Sequence, residues 1–121
     1  MNTNTRLFHK EVFWPKGKFS ALQGRTLNLS YTPHAITEGT LDRYGAVQLP
    51  KEIVFDERNA IEMECVGKSV KKVLVRQPYN GTLDLCLVIF LNGTEFSVGT
   101  VWLNEHSDTH RTLNRAKYDR N

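Results

Sequence analysis

The chain has 121 residues, 40% of them hydrophobic and 24% charged, with 16 Lys and Arg against 13 Asp and Glu. That length supplies one core and not two, and the mix is that of a folded chain. The longest apolar run, Leu85 to Leu91, has seven residues, far short of the roughly 20 a membrane helix needs, and Met1 to Arg6 has no apolar stretch behind its charge; the expectation is a cytoplasmic protein without membrane contact.

Residues 1–29 read as an irregular apolar arm. Phe8, Val12, Phe13, Trp14 and Phe19 are interrupted by Pro15 and Gly17, and proline is excluded from helix interiors and central strands. Leu27 to Tyr31 alternates apolar and polar residues, the pattern of a short strand. Thr32-Pro33 is a helix start, with a capping hydroxyl and a proline at the first helical position. Ile36, Thr40, Leu41 and Tyr44 follow at helical spacing. Gly39 weakens that helix, and Gly45 offers a C-terminal cap. Pro50 to Phe55 fits a short helix or a turn.

From residue 60 the alternation becomes clear. Strands are expected over 60–66, 69–77, 82–91 and 95–103, each joined to the next by a turn at Gly67-Lys68, Asn80-Gly81 or Asn92-Gly93. Asn-Gly supplies the two positive φ angles of a type I′ hairpin. In the last strand, Thr100 and Trp102 are expected on one face with Phe96 and Val98. The expected fold is therefore α+β: the N-terminal irregular arm and a helix packed on a four-stranded antiparallel meander sheet, one domain over 1–121. The tail after Asn104 is polar, with one helical turn expected over Asp108 to Leu113. The apolar arm can also dock on a second copy and make a homo-oligomer.

Charge is unevenly placed. Arg6, Lys10, Lys16, Lys18 and Arg25 face only Glu11 in residues 1–31, and Arg111, Arg115, Lys117 and Arg120 stand against Glu105, Asp108 and Asp119 in residues 105–121, while Glu52, Asp56, Glu57, Glu62 and Glu64 sit between. Basic ends that meet in space would form a polyanion-binding face; ordinary scatter over a solvated surface is the plainer reading. Cys65 and Cys86 are expected as buried thiols, and with four scattered histidines they show no zinc spacing, so no metal and no cofactor is expected.

One chemistry fits the remaining polar residues. Metal-free RNA cleavage by 2′-OH attack needs a base, a cation at the non-bridging oxygens and an acid for the leaving 5′-oxygen. His34 or His110 can serve as base or acid. Arg76, Lys72 or Arg111 can hold the phosphate, and Tyr118 can donate a proton or stack on a base. Lys72, Leu74 and Arg76 share one strand face, and Thr100 lies close by if the register allows. Arg76 can instead pair with Glu62 or Glu64 on the neighbouring strand. Trp102 is expected in the core, and His9 and His106 have no supporting context.

The run Ser30-Tyr31-Thr32-Pro33-His34-Ala35, then Asp42-Arg43-Tyr44-Gly45, resembles the opening of small toxin-like domains of the RelE/colicin-type ribonuclease superfamily. Lys72 to Arg76, Gly99 to Asn104, Asp108 to Leu113 and Tyr118 are similar to the sheet and tail of its phage and bacterial branch. The resemblance spans residues 30–118, and Glu38-Gly39 departs from its helix pattern. It implies a helix-plus-sheet fold and metal-independent endoribonuclease activity on RNA, with His34, Arg43, Arg76, Thr100, His110 and Tyr118 as the carried-over residues. The rival expectation is a non-enzymatic binding protein that captures a host protein factor or a nucleotide ligand, since fold similarity does not establish activity.

Overall fold

The computed structural model describes residues 5–9, 19–67, 69–92 and 95–108. Its strands are β1 (Thr5–His9), β2 (Thr26–Tyr31), β3 (Glu52–Val54), β4 (Ala60–Val66), β5 (Ser69–Pro78), β6 (Leu83–Asn92) and β7 (Glu95–Glu105). They form one seven-stranded sheet in the order β1-β4-β5-β6-β7-β2-β3. A single helix, α1 (Pro33–Thr40), follows β2, and a one-turn 3-10 helix over Glu57–Asn59 precedes β4.

This overturns the expected helix on a four-stranded antiparallel meander. β4 to β7 do pair antiparallel in sequence order. However, β1 extends the sheet beyond β4, β2 joins β7 in parallel, and β3 joins β2. The sheet is therefore mixed. Two of the added strands come wholly or partly from the supposed irregular arm, and the third from the segment left as helix or turn. β2 is the short strand that the alternation over Leu27 to Tyr31 announces, whereas β1 and β3, of five and three residues, carry too few alternations to announce themselves, and their partners supply what local pattern does not.

Turn chemistry also differs. Asn80 has no positive φ, because among the described residues only Gly24, Gly45 and Gly67 do. Instead its side-chain oxygen accepts from the Thr82 and Leu83 amides at 2.9 and 2.8 Å, and Tyr79 N–H donates to Leu83 O. The Asn side chain thus builds the turn that a left-handed backbone was expected to build. Gly93 lies outside the described residues, although Asn92 and Glu95 pair across that hairpin.

A bulge in β7 decides which residues face the core. Val88 pairs with Thr100 but Ile89 with Val98, leaving Gly99 as the extra residue. Phe96 and Val98 before it, and Val101 and Leu103 after it, all enter the same core cluster. Thr100 and Trp102 consequently face the other side, against expectation. A glycine is required there because a Cβ would overlap the Phe90 ring.

The main core lies on one side of the sheet. Val73, Val75, Leu87, Ile89, Val98 and Val101 pack there under Leu27, Phe19 and Phe55. The Phe19 and Phe55 rings meet with centroids 5.3 Å apart. Tyr31 reaches from β2 to donate its hydroxyl to Pro50 O, and burial pushes its pKa up to about 12.

The α1 start follows the sequence. Thr32 Oγ1 accepts from Ala35 N–H at 3.1 Å, with Pro33 next. The helix stops at Thr40, capped by Leu41, earlier than the spacing to Tyr44 suggests. Gly39, read as a weakness, is a close approach: a Cβ would come within 3.2 Å of Leu49 Cδ2, and Val47 N–H donates to Gly39 O.

Candidate functional site

The parallel pairing of β2 with β7 ends at Tyr31 and Val98, with Thr32 N–H on Val98 O just beyond. From there α1, not a strand, runs beside β7. Glu38 Oε1 accepts from Val101 N–H and Asp42 Oδ1 from Leu103 N–H, both at 3.1 Å. One carboxylate from the helix and one from the turn after it thus meet two amides two residues apart on β7. Tyr44 Oη then donates to Glu105 Oε1 at 3.2 Å, and Arg43 Nη2 reaches Asn104 Oδ1 at 3.5 Å.

These bonds pin α1 and the turn after it while leaving one side open to solvent. Ile36 is 49% exposed, Leu41 76% and Tyr44 39%. Of the five large exposed hydrophobics among the described residues, three therefore stand on this one segment. The Arg43 guanidinium lies over the Tyr44 ring, 4.9 Å from its centroid.

A polar cluster closes the far end of β7. Arg76 Nε donates to Asp84 Oδ2 at 2.8 Å, and its Nη2 to Glu105 O at 2.7 Å. His106 Nδ1 lies 2.6 Å from Asp84 Oδ1, and its Nε2 lies 3.1 Å from Asn80 O. Both ring nitrogens thus face acceptors, and only the imidazolium donates to both. Tyr44, Thr82, Glu105, His106 and Ser107 line an open cleft of about 520 Å³ beside this cluster.

Among the described residues, those expected to cleave RNA do not converge. His34 is exposed at the start of α1, with Nε2 3.3 Å from Glu38 Oε2. Arg76 is tied to Asp84 and not to Glu62 or Glu64. Lys72 lies 3.6 Å from Glu64 and over the Phe90 ring. Thr100 shares the sheet face of Arg76 and Lys72 by register. His34 starts its helix beside Val98 and Arg76 ends on Glu105, about 20 Å away along a strand. His110, Arg111 and Tyr118 lie outside the described residues.

His106 and Asp84 were missed. The signal was the hairpin register: Asn92 opposite Glu95, shifted once by the bulge, brings Asp84 opposite Asn104 and two residues from His106. Among the described residues no three His, Cys, Asp or Glu side chains converge as metal ligands, and no helix is long and apolar enough to cross a membrane. Cys65 and Cys86 are buried thiols.

No protein-family model, no curated protein and no solved structure matches this chain.

Proposed function

We propose that the protein is a non-enzymatic binding protein that captures a second protein through α1 and the turn after it. The observation that carries this reading is that Ile36, Leu41 and Tyr44 stand exposed on one short segment held against β7 by Glu38 and Asp42. Large apolar side chains left exposed together on one ordered segment favour an interaction surface. Tyr and Arg are enriched among the residues that dominate binding energy, and Tyr44 and Arg43 stand together here. A surface already ordered before contact also avoids the entropic cost of ordering it on contact.

The same geometry argues against RNA cleavage, the other expectation. A phosphate-binding arginine needs open donors, whereas Arg76 spends Nε on Asp84 and Nη2 on a backbone carbonyl. His34, the one described candidate base, stands at the opposite end of β7.

The test has two arms. Purified protein is incubated with total RNA and tRNA in EDTA, beside His34→Ala; the RNA is expected to stay intact. A photo-crosslinking residue is placed at Leu41, and another at Val54 on β3, and each is expressed in cells. One discrete protein adduct from position 41, lost in Ile36→Asp and absent from position 54, is the expected outcome. RNA cleavage that disappears with His34→Ala would overturn the reading and restore the nuclease.

A further inference from the structure

The open cleft lies where three parts of the chain meet: Tyr44 in the turn after α1, Gly81 to Leu83 at the β5–β6 hairpin, and Glu105 to Ser107 at the end of β7. Its volume of about 520 Å³ falls within the roughly 300–1,000 Å³ of small-ligand sites. Tyr44 and Leu83 give it apolar walls. A Cβ on Gly81 would meet nothing within 4 Å, so the hairpin side stands open.

The polar groups at the rim select a cation. Both ring nitrogens of His106 already face acceptors, Asp84 Oδ1 and Asn80 O, and Thr82 Oγ1 donates to Asn80 Oδ1 at 3.3 Å. An anion entering the cleft therefore finds no charged donor to hold it. Glu105 is the opposite case. It is exposed, and its Oε1 accepts from Tyr44 Oη at 3.2 Å. Among the described residues no Lys, Arg or His pairs with its carboxylate. A carboxylate offers about four acceptor sites, so most of its capacity is left for a guest.

We propose that this cleft is the anchor pocket for an arginine side chain of the captured protein, an assignment that rests on the capture reading above. Tyr44 joins the two surfaces, since it stands among the exposed apolar residues of the α1 segment and also lines the cleft. A protein lying on Ile36 and Leu41 can thus reach Glu105 without leaving the surface. Arginine fits better than lysine. Its planar fork meets a carboxylate with two parallel bonds and stacks on an aromatic ring, whereas an ammonium is a point charge. Arg43 already covers the Tyr44 ring in this way, 4.9 Å from its centroid. Arg43 does not line the cleft, so the side of Tyr44 turned to the cleft stays open to a second guanidinium.

The test titrates isotope-labelled protein with N-acetyl-arginine amide and, in parallel, with N-acetyl-citrulline amide, which keeps the shape and loses the charge. The arginine probe is expected to shift the amide resonances of Thr82, Glu105, His106 and Ser107 saturably, with a Kd of about a millimolar for so small a ligand. The citrulline probe is expected to bind roughly ten-fold more weakly. Glu105→Gln keeps an acceptor for Tyr44 and should bring the arginine probe down to the citrulline level. Equal binding of the two probes to the parent chain, or no saturable shift at these residues, overturns the proposal, and that arm needs no variant to fold.

The crosslink at Leu41 reports capture separately. An adduct that keeps its yield in Glu105→Gln, beside a parent chain that ignores the arginine probe, overturns the cleft assignment and leaves capture standing. Saturable arginine binding in a chain that gives no adduct overturns the capture reading, and the protein source of the arginine with it.

Discussion

His106 and Arg76 hold the two oxygens of one carboxylate: Asp84 Oδ1 lies 2.6 Å from His106 Nδ1, and Oδ2 accepts from Arg76 Nε at 2.8 Å. Asp84 therefore joins β5, β6 and the chain leaving β7 through a single side chain. The Arg76 and Asp84 side chains are 10% and 15% exposed, so removing the carboxylate takes a charged partner from a largely buried cation that keeps its bond to Glu105 O. Asp84→Ala is expected to lower unfolding free energy by about 2–3 kcal/mol, somewhat below the cost of breaking a fully buried pair. His106→Ala, at a more exposed position, is expected to cost about 1 kcal/mol. Urea denaturation of both variants checks this; Asp84→Ala within roughly 0.5 kcal/mol of the parent would mean that water already shares the bridge.

The carboxylates of Glu38 and Asp42 act as substitutes for a neighbouring strand. Val101 is fully buried, so its amide has no water to turn to if Glu38 is shortened. Glu38→Ala is expected to cost about 1–3 kcal/mol, the range for an orphaned buried donor. Glu38→Gln keeps an acceptor oxygen in place and should cost much less. Hydrogen exchange reads the effect locally: the Val101 amide should exchange faster in Glu38→Ala, and the Leu103 amide in Asp42→Ala. Equal protection in all four proteins would show that the helix backbone, not these side chains, guards the edge.

What the sequence revealed follows from how many residues each decision spans. Strands over 60–103 were legible because runs of seven to eleven residues between turn signals leave little freedom. β1 and β3 were not, since a strand of three to five residues is made by its partner. The face assignment of Thr100 and Trp102 failed on one residue: counting by twos through Gly99 ignores the bulge, although a glycine inside a strand is its usual mark. Thr32-Pro33 gave the helix start because both halves of the signal are local. The site was harder to read. His106 gains its meaning only from Asp84, 22 positions away, and Arg76 looked available only while its partner was unknown.

Gly99 supplies a direct check on that bulge. Phe90 packs against the space where a side chain would stand. Gly99→Ala should cost about 1–3 kcal/mol through forced displacement of the ring. Phe90→Leu in the same chain should recover most of that loss, because the shorter side chain vacates the contested volume. Melting temperatures of the two single variants and the double variant form the cycle. Strict additivity of the two changes would mean that the ring is not what excludes the methyl group.

Tyr31 sets a limit on alkaline stability. Its hydroxyl is held on Pro50 O, and burial raises its pKa from 10.0 to about 12. The unfolded chain therefore ionises this phenol first. The stabilisation is fully present below about pH 10, where both states are protonated, and is lost as pH rises towards 12, because proton release favours the unfolded state. A melting curve series from pH 8 to pH 12 should fall across that window, after subtraction of the same series for Tyr31→Phe. Absorbance near 295 nm should show a phenol component that ionises towards pH 12, and that late component should vanish in Tyr31→Phe. A parent and variant that decline in parallel would place the alkaline limit on other groups and leave the Tyr31 to Pro50 bond without a role in it.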